Sequence, residues 1–294
     1  MVILMNGHSL IRCETELDLV SKNCRHGFPV IDGSQTLKKL NEVLLANNGI
    51  ENINDKNKNK LFKTLNNINK EAMIKYCAII IEKNYKNGFD MKDINKKIKL
   101  FQKAFIEMEA LFIDEPRKQE NKTGFHHLLG ILEEIISGPN PTIEKCTIAI
   151  LHDAVENVPG YTIDHVKNTY GEDISKSLEN ISKKPLDYYG DTKKDKTHLK
   201  KERQEDYYGN MSERGKKELN VKFADRLDSL KTMYKKDEEK KEIMDKNYLL
   251  KKLLETKDYF LIPAIKSKVD NFHYERLEKK YLERKEKLEN QNLI

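Results

Sequence analysis

Ile94, Ile98, Phe101, Phe105, Met108 and Phe112 recur every three to four residues without a break. That spacing gathers side chains along one face of an α-helix and cannot line one face of a strand. Shorter stripes of the same period stand at Leu40, Val43 and Leu44 and at Leu219, Phe223, Leu227 and Leu230, and no stretch carries a strand pattern of any strength. With 13 Gly and 7 Pro in 294 residues, the chain is also too poor in turn formers for a β fold. An all-α fold is expected, with the 94–112 stripe buried in the core. A loosely structured lead (1–35, holding Gly27, Pro29 and Gly33), a short helix from about 36 and a polar loop at 52–60 precede helices expected over about 61–68 and 70–86.

Further along, a helix carrying His126 and His127 is expected to end at Gly138-Pro139. The next begins after Asn140-Pro141-Thr142, where proline suits a first turn, and is expected to continue to Pro159-Gly160. On a continuous helix the pairs His152/Glu156 and Asp153/Asn157 lie on adjacent strips. Tyr161-Thr162-Ile163 leads a further helix expected to run through Val166 to about 183. Residues 183–208, rich in Lys, Asp and Tyr, suggest a solvated mobile loop or a basic lid over a phosphate-rich ligand. Asp225 lies off the Leu219–Leu230 stripe. From about Lys268 the tail alternates Lys and Glu, as a solvated or partner-binding helix does.

His152-Asp153 interrupts the apolar run Cys146–Val158. Such groups are costly to bury without partners, and a metal ion shared with His127 and Asp225 supplies them. Two imidazoles and two carboxylates form a mixed N/O set suited to Mn²⁺ or a similar octahedral ion, with positions left for water and substrate. The blander alternatives are a histidine satisfied by its neighbour and an Asp225 paired with Arg226 or Lys222. Glu156, one turn from His152, is placed to take or orient a water proton.

Composition narrows the setting. Hydrophobic residues at 38% and charged residues at 35% describe a highly charged surface, and no apolar run approaches the roughly 20 residues a bilayer needs. Met1-Val-Ile-Leu-Met5 is too short for a signal-peptide core and lacks a basic lead. Cys13, Cys24, Cys77 and Cys146 form no CxxC pair, as expected of reduced thiols in the cytoplasm. The net charge of +6 arises from interleaved Lys and Glu; it suits a small polyanionic substrate better than nucleic acid.

Set in order, these motifs resemble the HD-domain hydrolase module of the RelA/SpoT homologues, which degrade the alarmones ppGpp and pppGpp. Arg117-Lys118 ahead of Gly124-Phe-His-His127 is similar to that family's Arg-Lys…Pro-Tyr-Ile-x-His-Pro segment. Leu151-His-Asp-Ala-Val-Glu-Asn157 resembles its Leu-His-Asp-x-Val-Glu-Asp, and Val221-Lys-Phe-Ala-Asp-Arg-Leu-Asp-Ser-Leu-Lys-Thr232 its Ile-Lys-Leu-Ala-Asp-Arg-Leu-His-Asn-Met-Arg-Thr. Thr162…Tyr170-Gly171, Ile181-Ser-Lys183 and Glu255-Thr256…Tyr259…Ile262-Pro263 have counterparts in the same order. The similarity runs from about Ala110 to His273.

The resemblance implies an HD-type metal-dependent phosphohydrolase fold with additional N-terminal helices. Residues 1–100 would form the extension, 101–275 the hydrolase domain and 276–294 a charged tail. It implies that His127, His152, Asp153 and Asp225 hold Mn²⁺. His127 is preferred over His126 because Gly130 then falls where the family often has a small residue. Glu156 and Asn157 match the catalytic acidic pair, with Asn157 standing where the family has an aspartate. Arg117 and Lys118 would sit near the guanine nucleotide, Thr232 and Lys183 near sugar or phosphates, and Ser229 takes the place of a nucleotide-contacting asparagine. Residues 183–208 lengthen the gap before Asp225. Removal of the 3′-pyrophosphate from ppGpp or pppGpp is the expected activity, with a homo-oligomer among the expectations. An HD phosphohydrolase for another nucleotide and a lapsed module that binds alarmone or a partner protein are the alternatives.

Overall fold

The computed structural model describes residues 73, 76–112, 124–191, 195–232, 234–236, 242–244 and 246–290. The helices expected before residue 70, and Arg117 and Lys118, lie outside the described residues. Two compact units are present, Met1–Gln102 and Lys103–Ile294. In the first, residues 76–86 are helical and bury Tyr76, Ile80 and Ile81. Gly88, at φ +83°, takes the left-handed turn that follows, a conformation glycine adopts without a Cβ penalty. α1 (Met91–Phe112) belongs to the first unit up to Gln102 and to the second from Lys103. Each residue of its apolar stripe is at most 2% exposed, so the sequence period marks a core face as expected.

The second unit is helical. α2 (Gly124–Ser137) is buried along most of its length, and its Phe125 ring packs edge-on against Phe105, centroids 5.2 Å apart. α3 (Ile143–Leu151) starts at Thr142, whose hydroxyl accepts the Lys145 N–H at 3.2 Å as a side-chain cap. α4 (Ala154–Asn157) is one turn. Thr162 caps α5 (Ile163–Tyr170) in the same way as Thr142, and Gly171 at φ +96° turns the chain into α6 (Glu172–Ile181). After α7 (Lys196–Gly209) comes α8 (Lys216–Thr232), which packs against α2, α3, α6 and two later helices, α9 (Lys246–Tyr259) and α11 (Asn271–Asn290). Its stripe Leu219, Phe223, Leu227 and Leu230 lies buried among Leu253, Phe260, Tyr274 and Leu277. A short α10 (Pro263–Lys266) begins on proline. No helix among the described residues is long and apolar enough to cross a membrane.

The single helix expected from Thr162 to about 183 is two, α5 and α6, parted at Gly171, and four further features depart from the sequence expectations. The helix carrying His152 does not run unbroken to Pro159: it breaks at His152-Asp153, between α3 and α4. The His152 Nδ1–H donates to the Ala149 carbonyl at 2.9 Å, an acceptor an unbroken helix would give to the Asp153 N–H. Asp153 relaxes to φ −93°, ψ −9°. Second, residues 183–208 are not a mobile loop over their described length. They form a 3₁₀ turn (Leu186–Tyr188) and α7, anchored by buried Leu199, Tyr207 and Tyr208. The Lys- and Asp-rich composition hides these anchors. Third, the tail helix α11 is not merely solvated: Tyr274, Leu277 and Leu288 are buried. Arg284 donates to the carbonyls of Leu230 (2.8 Å) and Lys231 (3.1 Å), the last turn of α8, where a cation is favoured. Fourth, one antiparallel ribbon pairs β1 (Tyr234–Lys236) with β2 (Glu242–Met244). Strands of three residues are too short to register a two-residue period.

Candidate metal centre

Three elements bring the expected ligands together. α2 supplies His127, the break between α3 and α4 supplies His152 and Asp153, and α8 supplies Asp225. Ligand atoms of His127, His152 and Asp225 lie within 4.8 Å of one another. His127 Nε2 is 3.3 Å from Asp225 Oδ1 and 3.7 Å from Asp153 Oδ2, and His152 Nε2 is 3.1 Å from Asp153 Oδ1. Atoms bound to one ion at about 2.1 Å can stand no more than about 4.2 Å apart, so these positions need only tenths of an ångström of adjustment.

Hydrogen bonds fix how each imidazole is presented. The Ala149 carbonyl can only accept, so His152 carries its proton on Nδ1 and turns the Nε2 lone pair inward. Although His152 Nε2 is near Asp153, it makes no hydrogen bond and is fully buried. An orphaned lone pair aimed at three other donor atoms is what a metal ligand looks like before the metal is added. His127 Nδ1 meets Asp228 Oδ2 at 2.7 Å, which likewise leaves Nε2 for the centre. Asp228 was not among the residues expected to matter; its signal is the one-turn spacing from Asp225. Gly130 makes that contact feasible, because a Cβ there would run into the Asp228 carboxylate. His127, and not its neighbour His126, therefore faces the centre.

The carboxylates are held ionised. Burial opposes charge on Asp225, but Lys222 Nζ, 2.6 Å from Oδ2, holds its carboxyl well below the usual range. Lys222 thus takes one oxygen and leaves Oδ1 facing His127. Burial likewise opposes charge on Asp153, and positive charge at the His152 and then the His127 side brings it below the usual range; with both Nε2 atoms unprotonated, a bound cation would supply that charge. These donors fit a divalent ion with N/O preference, by their chemistry and by the unpartnered His152 nitrogen.

Around this core, the other expected residues divide. Both Glu156 oxygens are taken by Lys183: the backbone N–H donates to Oε1 at 2.9 Å and Nζ to Oε2 at 3.0 Å. Lys183 also lies 4.8 Å above the centre of the Tyr207 ring. Asn157 is exposed, and Ser229 is half-buried on α8, one turn beyond Asp225. Thr232 closes α8, and its side chain lies outside the described residues. His165 leans on Glu107 at 3.3 Å and His273 is buried near Glu134, neither with the metal set. Two cavities, of about 350 Å³ beside Lys251 and Glu255 and about 320 Å³ beside Glu107 and Tyr161, include none of the four ligands. No family model matches this chain, and no curated protein matches it in sequence.

Proposed function

We propose that the protein is a Mn²⁺-dependent hydrolase that removes the 3′-pyrophosphate of ppGpp or pppGpp, leaving GDP or GTP. The observation that carries this reading is the convergence of His127, His152, Asp153 and Asp225 from three elements, with the buried His152 Nε2 lacking a hydrogen-bond partner. The substrate class comes from the motif order it shares with the alarmone hydrolases. When bound, the ion supplies a water of lowered pKa and a sink for charge at phosphorus.

The chain's own groups do the rest. Asp228 and the Ala149 carbonyl orient the two imidazoles, and Lys222 fixes the Asp225 carboxylate. Glu156, which matches the first residue of the family's acidic pair, would orient a water or receive its proton. Its carboxylate is held in place by Lys183, which takes one lone pair of each oxygen and leaves the other open to a water or its proton. Asn157 can hydrogen-bond but cannot accept a proton as a carboxylate can.

Glu156 held by Lys183, together with the exposed Asn157, supports a second reading: a module that binds alarmone and turns it over slowly or not at all. Incubating the protein and Mn²⁺ with ppGpp, beside GTP and ATP, decides between them. Release of pyrophosphate from ppGpp alone is the expected result. Metal and ppGpp binding without turnover favours the second reading, and hydrolysis of an ordinary nucleotide instead would remove the alarmone assignment.

A further inference from the structure

One buried carboxylate of the second unit is surrounded by more positive charge than it can serve. Glu255, on α9, is 6% exposed. Its Oε2 accepts from Arg226 Nη1 at 2.9 Å and from the Tyr208 hydroxyl at 3.1 Å, which uses both lone pairs of that oxygen. Oε1 accepts from Gln204 Nε2 at 2.9 Å. Two further ammonium groups remain, Lys251 Nζ at 3.8 Å from Oε1 and Lys252 Nζ at 3.6 Å from Oε2. Lys251 escapes into solvent, its side chain 59% exposed. Lys252 does not: only 22% of its side chain is exposed, and its ammonium lies 5.5 Å from the centre of the Tyr248 ring.

Arg226 ties this corner to the metal centre. It follows Asp225 on α8 and donates to both the Glu255 carboxylate and the Lys252 carbonyl (3.4 Å). We infer that Lys252 is an anion-binding residue, which receives a phosphoryl group of a polyphosphate ligand at the edge of the His127–His152–Asp225 centre. Burial, and next the Arg226 charge, push the Lys252 ammonium down to about 8, with Glu255 and Asp225 pulling the other way. A bound phosphate relieves that crowding, because it brings the negative charge that Glu255 alone does not supply. The polyphosphate identity of the ligand rests on the phosphohydrolase reading; the anion site itself rests on the charge imbalance around Glu255.

The probe is inorganic pyrophosphate, titrated calorimetrically at fixed Mn²⁺ into the wild-type protein and into Lys252→Met, Lys252→Arg and Lys251→Met, with thermal melts checking that each variant folds. Lys252→Met should weaken binding about tenfold, the loss of one charge-assisted contact to phosphate. Lys252→Arg should restore it, and Lys251→Met should match the wild type. The inference is overturned if the wild type binds no pyrophosphate, if Lys252→Met binds as tightly as the wild type, or if Lys251→Met loses as much. Should pyrophosphate binding depend on Lys252 while ppGpp stays intact, the alarmone-hydrolase reading falls and the anion site stands. Turnover of ppGpp with no effect of Lys252→Met on pyrophosphate does the reverse: the alarmone reading stands and the anion site falls.

Discussion

His127 and His152 each commit Nδ1 to a group that can only accept, Asp228 in one case and the Ala149 carbonyl in the other. Both Nε2 atoms are thereby aimed at the same small volume before any ion arrives. Gly130 lets Asp228 approach, and this yields a sharp expectation. Within a helix, alanine is ordinarily favoured over glycine by about 1 kcal/mol. Gly130→Ala should nonetheless lower Mn²⁺ affinity about 10- to 100-fold, the usual effect of disturbing a ligand's hydrogen-bond partner. Calorimetric titration checks it, and unchanged affinity would mean that Asp228 does not orient His127. Asn157→Asp restores the carboxylate of the resembling family and should raise ppGpp turnover, up to the roughly 10²–10⁴-fold that one positioned acid or base contributes. A fall in rate would show that the position is used differently in this chain. At this scale the sequence singled out the four residues that converge, because a histidine or aspartate on an apolar helix is chemically conspicuous. Asp228 and Lys252 stayed hidden, since a charged residue on a helix says nothing of which buried group it will meet; the Asp225–Lys222 pair was one of the plainer alternatives, and it is present.

Helix periods were the legible part of the elements. The stripes of α1 and α8 are buried as their spacing required, because a 3.6-residue repeat needs no knowledge of its partner. The break at His152 could not be read, since it depends on a side chain competing for its own helix's carbonyl. Nor could the clamp that docks α11. Glu134 of α2 is 3% exposed and accepts from Arg276 Nε at 2.6 Å and Nη2 at 2.9 Å, with Lys231 Nζ at 3.2 Å. Burial works against its charge, but His273, Arg276 and Lys231 bring the carboxyl down from 4.5 to about 2. A carboxyl depressed in the folded state adds stability above its unfolded value, and that stability fades as the pH falls from about 4.5 towards 2. The difference amounts to something on the order of 3 kcal/mol. Melts of the wild type and Glu134→Gln should therefore differ most at neutral pH and converge over that acidic window. A constant gap at all pH values would mean that the carboxylate charge does not hold α11 in place.

For the second unit as a whole, the metal centre lies where α2, the α3–α4 break and α8 meet, so an ion bound there should stabilise the packing of all three. Binding at a hundred times Kd adds about 2.7 kcal/mol, which raises the melting temperature by about 5 °C or more in a domain of this size. The all-α architecture and the four candidate residues could be read from residue type and period. Their convergence is a property of packing, and so is the insertion's use of Tyr207 and Tyr208 as core. Mn²⁺ titration followed by electron paramagnetic resonance, with wild type beside His152→Ala, tests that convergence most directly. The expected result is one tightly bound ion per wild-type chain, and no bound ion in a His152→Ala protein that melts where the metal-free wild type does. A wild type that binds no Mn²⁺, or a His152→Ala variant that binds it equally well, would reduce the cluster to a buried charge network without a metal.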